Sequence, residues 1–432
     1  MAAPQAWAAG CSEPAPPAPA ASNPAPGADP RAPLRTLALG AIERNSGIAA
    51  ARLIAEAALD DLRESQAAKQ LQASFNASGG PAGSRAAGNT ETSAAQLRAG
   101  VTVSQLLYDG GRTDRLIDVR RLQGEALRLS HVSQQEQLAL STVSAAFELS
   151  RYRQQAQVYA EYRYSAACLV DALEQVVAAD RGRLSELVQA RKTLLQVELT
   201  QSQTDAVLRQ SEIRLRRFVG ELRLEPAALA AVLLQTPALT QLQADAERAS
   251  EIAQLQAQAE AADALTQSIQ ASTRPQLSWN AGLNRSSATG GSLPTSHGSA
   301  LSAGLSLSIP LLSPGTDAAV AAARKRAQAA ALQRDDALDA RKSRIADMHD
   351  QARSAFERAR LTDSILRDSE RLRGFTMQQW QQLGRRSLFD VMAAESDHFG
   401  LRIAQVNALH DGQQLNATLQ SLGRGLLDWL QN

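Results

Sequence analysis

One stretch of this sequence occurs twice. "AGVTVSQLLYDGG" at residues 99–111 returns as "AGLSLSIPLLSPG" at 303–315. In each, apolar and small polar residues alternate, the period of a strand with one oily and one wet face, though Gln105 and Leu106 spoil the end of the first, and a turn follows. A shorter pair, "GRLS" (182–185) and "GRRS" (384–387), recurs farther along. Duplication constrains a fold more than any local propensity. Whatever one half forms, the other half forms too.

The repeated unit reads as helix, strand, loop, strand, very long helix, turn, return helix. The first repeat covers residues 36–220, with strands at 71–78 and 100–108 and a helical hairpin at 113–219. Asn45, Ser46 and Gly47 interrupt its opening helix. The second repeat covers 239–422, with an unbroken helix expected over 239–272, strands at 276–284 and 301–310, and a hairpin at 317–421. A Pro-containing connector, 221–238, joins them, and tails are expected at 1–35 and 423–432. From Thr113 to Asp180 no proline occurs, which gives a helix of roughly 100 Å. The return helix and the pre-strand helix together match that length. The expected packing therefore sets each long helix beside two short ones stacked end to end. Leu184, Leu187, Leu194 and Leu195 suit coiled-coil contact.

All four expected strands place their apolar residues at odd numbers and small polar residues at even ones, with no charge on either face. Four strands alone leave two bare edges, and the chain has no further strands to form an opposing sheet. An oily face outside and a wet face inside, over about 9–11 residues, is the pattern of an outer-membrane barrel strand. Closing such a barrel takes several subunits. Phe75, Val101, Val103, Trp279, Leu301, Leu305, Leu307 and Ile309 are expected to face lipid, while Ser302, Ser306 and Ser308 line water. Phe75, Tyr108 and Trp279 could also mark the membrane interface. The fold class is mainly α with a membrane β-barrel part.

Composition removes other classes. The net charge of +1 on 432 residues gives nucleic acid no electrostatic attraction. No apolar run is long enough for a transmembrane helix. The five histidines show no metal-ligand spacing, and no nucleophile motif, phosphate loop or paired catalytic carboxylate is present. No catalytic residue, metal or cofactor is therefore expected, and the chain does not read as an enzyme. The N-terminal "AAGC" ends in Cys11. It reads either as a lipid-attachment cysteine or as an incidental residue of a Pro/Ala-rich tail.

The duplicated order, the strand exits "LLYDGGR" and "IPLLSPG", and the hairpin turns "GRLSELVQAR" and "GRRSLFDVMAAE" resemble the TolC-type outer-membrane channel family over about residues 36–422. That resemblance implies a homotrimer. Its twelve-stranded barrel would sit in the outer membrane of a Gram-negative bacterium, continued by a helical barrel in the periplasm. The implied partners are outer-membrane lipid, a periplasmic adaptor protein and an inner-membrane ABC or proton-driven transporter. By the same resemblance, Asp390 and Arg386 belong to a periplasmic gate. Gly182, Arg183, Leu184, Ser185, Gly384, Arg385 and Ser387 form the adaptor-docking tips. The chain departs from the family pattern at Ala393, where a second gate aspartate is common, and at Leu187, where an acidic latch partner is common. Glu186 is the nearest substitute at the latch, and Glu395 a further acid near the constriction. The implied function is an exit duct, with type I protein secretion favoured over small-molecule efflux and a channel-free coiled-coil scaffold as the remaining reading.

Overall fold

The computed structural model describes residues 29–84, 92–220, 229, 232–290, 296–383 and 386–431. Cys11, Gly384 and Arg385 lie outside them. The elements run α1 (Ala32–Arg44), α2 (Ser46–Ala67), β1 (Gln72–Ser84), β2 (Thr92–Tyr108), α3 (Arg112–Ala179), α4 (Leu184–Val219), α5 (Leu239–Ala246), α6 (Ser250–Ala271), β3 (Gln276–Thr289), β4 (Ser296–Ser308), α7 (Pro314–Leu383), α8 (Leu388–Leu422) and α9 (Leu426–Gln431).

The duplication has one constant offset. Ser46 and Ser250 open α2 and α6, Gln72 and Gln276 open β1 and β3, and Thr92 and Ser296 open β2 and β4. Ala179 and Leu383 end the long helices, and Leu184 and Leu388 open the return helices; every pair is 204 residues apart. The strand motifs obey this spacing. "GRLS" and "GRRS" do not, because they lie 202 residues apart. The structural counterpart of Leu184 is thus Leu388, and that of Glu186 is Asp390.

The chain divides into two compact units. The first joins residues 1–49, 132–249 and 338–432; the second joins 50–131 and 250–337. In the first, Leu34, Leu37 and Ala41 of α1 pack with Val143, Ala146 and Phe147 of α3, Leu215 and Val219 of α4, and Leu426 and Leu430 of α9. Glu136 of α3 accepts the amide N–H groups of Leu426 and Leu427 at 2.8 and 3.2 Å, which fixes the start of α9. Burial pushes the Glu136 carboxyl above its usual range. Gln413 and Asn416 of α8 are buried. Gln413 donates to the carbonyls of Leu229 and Val232 at 3.1 and 2.9 Å, and Asn416 donates to that of Leu233 at 2.7 Å. Leu233 has a φ of 59°, a left-handed conformation that these bonds help to hold.

The second unit contains the sheet, ordered β1-β2-β3-β4 with every pairing antiparallel. The strands reach well beyond 71–78, 100–108, 276–284 and 301–310 at their loop-side ends. Backbone pairing continues through Gly79, Gly80 and Ser299, where side chains give no apolar alternation to read. The extension brings two charges into the sheet, Arg98 in β2 and Arg285 in β3, which overturns the expectation of uncharged faces. At the other end β4 stops at Ser308, so Ile309 lies just past the strand.

The expected helix over 239–272 is also corrected. It breaks between α5 and α6, where Arg248 and Ala249 donate to the carbonyls of Asp245 and Ala246 in tight turns. Glu247 at this break is held by Lys342 of α7 at 2.7 Å. The first repeat breaks at the matching place, Asn45.

Candidate functional site

The pore-wall candidate is the sheet. Its register joins odd residues to odd and even to even up to a bulge near the end of β2, past which Tyr108 pairs with Leu277. One row across the four strands is Phe75, Val101, Leu283, Leu301; the next is Ala73, Val103, Ala281, Ala303. Trp279 stands between Gln105 and Leu305, and its indole N–H donates to the Gln105 side chain at 3.3 Å. The large apolar residues, Leu106 apart, therefore share one face. That face is bare within the chain: Phe75 is 70% exposed, Leu301 81% and Leu305 71%. Val103 and Trp279 are half-buried among their neighbours.

The even face carries Ser74, Thr102, Gly282 and Ser302 in one row and Ser78, Arg98, Ser286 and Gly298 in another. Gly100 leaves room on this face for the Asn284 side chain. A Cβ there would stand 1.9 Å from Oδ1 of Asn284, its cross-strand partner. Along the four strands there is no aspartate or glutamate among the described residues. Arg98 belongs to the even set and Arg285 to the odd. Both were missed because each lies in a stretch read as loop.

Where β2 passes into α3, the turn is tightly bonded. Asp109 accepts the amide N–H of Gly111 at 3.0 Å and that of Thr113 at 2.7 Å. Burial alone would raise its pKa, but the bonds from Thr113 and Gly111 outweigh it and hold the carboxyl below its usual value. Gly110 has a φ of 67°, and a Cβ on it would meet the Arg274 side chain at 2.4 Å. Arg274 donates to the Gly110 carbonyl at 2.7 Å. The "DGG" in the sequence signalled a turn; the roles of Asp109 and Arg274 needed the structure.

The tip candidates belong to the first unit. Asp180 accepts the Gly182 N–H at 2.9 Å and starts a short 3₁₀ turn, Arg181–Arg183. Gly182 and Ser185 are exposed, and Leu184 is 55% exposed. Leu187 turns inward instead. With Leu173, Trp380, Leu388 and Val391 it forms a core drawn from α3, α4, α7 and α8. Of the expected coiled-coil leucines, Leu194 also packs on this core, while Leu195 is exposed. At the second turn Ser387 caps α8 and Asp390 lies in its first turn. Arg386 donates to Gln379 at 3.2 Å and stands 3.9 Å from the Asp390 carboxylate. Glu186 pairs with Arg183 at 2.7 Å. Within the chain, then, the expected latch partners Arg386 and Glu186 are each engaged on their own turn. Glu395 is not a lining residue either: it is buried, 3.1 Å from Arg373, and accepts the Ser165 hydroxyl at 3.0 Å.

Residues 38–221 match the family model described as "Outer membrane efflux protein". No match is found among curated proteins. Solved structures share the fold over nearly the whole chain. The Vibrio cholerae outer membrane protein VceC is 19% identical, with a TM-score of 0.77 over 91% of this chain and 96% of that one. The Neisseria gonorrhoeae MtrE outer membrane channel, in its open state, is 18% identical, with a TM-score of 0.75 over 92% of this chain and 90% of that one. The Campylobacter jejuni CmeC outer membrane channel is 15% identical, with a TM-score of 0.75 over 92% and 86%. The matched segment spans the first repeat, the second repeats its elements at a constant spacing, and the whole has the fold of these channels. Residues 38–221 thus match the outer membrane efflux protein family, and the chain as a whole has the fold of solved outer-membrane channels.

Proposed function

We propose that three copies of the chain close a barrel in the outer membrane and serve as the exit duct of a tripartite export system. The observation that carries this reading is the sheet. Its large oily residues gather on one bare face, small polar residues dominate the other, and β1 and β4 are left as open edges. Lipid satisfies the first face, water the second, and further copies the edges. No helix of the described residues is long and apolar enough to cross a membrane. The duct performs no chemistry; it offers a wetted path.

The helical hairpins then reach into the periplasm. Gly182, Arg183, Leu184, Ser185, Gly384, Arg385 and Ser387 meet a periplasmic adaptor, which couples the duct to an inner-membrane ABC or proton-driven transporter. Asp390 and Arg386 sit at the closed end, where three copies of Asp390 draw cations. Cys11 is a candidate for acylation. For cargo, the turn "GRRSLFDVMAAE" favours a secreted protein over small molecules. Purified protein tests the duct: it should fractionate with the outer membrane, run as a trimer and conduct in planar bilayers. A soluble, non-conducting monomer would refute it. Deletion of the gene tests the cargo, since loss of a secreted protein with unchanged drug tolerance supports secretion and the reverse supports small-molecule efflux.

A further inference from the structure

The sheet has two kinds of strand contact. β1 with β2, and β3 with β4, pair within a repeat; β2 with β3 pairs one repeat to the other. A trimer adds a third contact, β4 of one copy against β1 of the next. It too joins the end of one repeat to the start of another.

The constant spacing of 204 residues makes the second and third contacts equivalent, because β4 is the counterpart of β2 and β1 is the counterpart of β3. The observed β2–β3 register sets Val101 opposite Leu283, Thr102 opposite Gly282 and Val103 opposite Ala281. Moving each β2 residue forward by the spacing, and each β3 residue back by it, gives the register between copies. We infer that Leu305 of one copy stands opposite Gly79 of the next, Ser306 opposite Ser78, and Leu307 opposite Ala77.

This register is stricter than the statement that copies assemble, and it rests on the trimeric duct proposed above. It keeps odd residues opposite odd ones, so the oily belt and the wet wall run unbroken across each junction. A slip of one residue would turn an entire strand face the wrong way. A slip of two would preserve the faces, and only measurement separates it from the inferred register.

Cysteine pairs provide that measurement in the full chain with Cys11 and Cys168 replaced by serine. Two in-register pairs are used, Ser78→Cys with Ser306→Cys and Ala77→Cys with Leu307→Cys. Adjacent antiparallel pairs alternate between close and wide spacing, so one of the two is the closely spaced kind. Under mild oxidation at least one should give covalent dimers and trimers on a non-reducing gel, and Ser78→Cys with Ser302→Cys should not. Efficient linking by 78 with 302, and by neither in-register pair, would overturn the register. Trimers of correct mass that link through none of the pairs would overturn it too, while leaving the duct intact. Absence of any trimer by native mass would overturn the duct as well.

Discussion

Ser387 and Asp390 cap the first turn of α8 reciprocally. The Ser387 hydroxyl accepts the Asp390 N–H at 3.3 Å, and the Asp390 carboxylate accepts the Ser387 N–H at 3.2 Å. The proposed gate residue therefore already has a structural task. Ser387→Ala should cost about 1 kcal/mol of local helix stability, visible as faster amide exchange over residues 388–391. Asp390→Asn should loosen the same turn. It alone should also weaken block of the pore by a divalent cation, because only it removes charge. Equal cation block in the two variants would remove Asp390 from the gate.

The two faces of β4 make a paired prediction. Leu305→Arg puts a cation on the oily face, which costs about 2–4 kcal/mol at mid-membrane, and should abolish heat-resistant trimers in the outer membrane. Ser306→Arg should assemble normally and change single-channel conductance. The opposite pattern would mean that the faces are assigned the wrong way round.

Arg98 is the charged residue of the even set, and no strand offers it a carboxylate. Three copies on a water-filled wall favour anions. In bilayers with a salt gradient, Arg98→Glu should lower relative anion permeability by about twofold or more, with Arg98→Gln intermediate and Arg98→Lys near wild type. Arg285→Gln, on the other face, serves as the control and should leave selectivity unchanged.

Gly100 and Asn284 should behave as a coupled pair. Gly100→Ala drives a methyl into the Asn284 amide and should reduce the yield of assembled protein. Asn284→Gly in the same chain should restore it. Two strictly additive losses would show that the cross-strand clash is not the cause.

His410 of α8 is buried, with its ring nitrogens 2.9 Å from the Val406 carbonyl and 3.2 Å from the Ser150 hydroxyl. Burial lowers its pKa below the ordinary value of 6.5, and Arg151 adds to the effect. An unfolded chain then takes up a proton that the folded chain refuses, so stability falls as pH drops below that ordinary value. Melting temperature should decline from pH 7.5 to about 5.5, and His410→Gln should flatten the decline.

Much of this architecture can be read directly from residue order. Alternation marks the middle of each strand because Val101, Val103, Leu305 and Leu307 carry large side chains on one parity. It fades where Gly79, Gly80 and Ser299 carry the ladder through backbone alone, which is why Arg98 and Arg285 looked like loop residues. The long helices are legible from uninterrupted proline-free runs. The break between α5 and α6 has neither Pro nor Gly; a tertiary ion pair, Glu247 with Lys342, accompanies it. At the tips, the two Gly-Arg words are out of step with the repeats by two residues. The buried positions Leu187 and Val391, 204 residues apart and fixed by packing, follow a different alignment from those words.

The two strand exits differ in a way that bears on mechanics. The first is a braced joint, where Asp109 closes the turn and Arg274 clamps Gly110. The second spans residues 309–313, between the end of β4 and the start of α7. There Leu311 is 92% exposed and Leu312 86%, and a turn bond runs from the Thr316 N–H to the Ser313 carbonyl. Around a closed trimer, stiff and compliant joints would alternate. Any flexing between strand and helix would fall on every second joint, so a duct built from paired repeats would bend with threefold rather than sixfold symmetry.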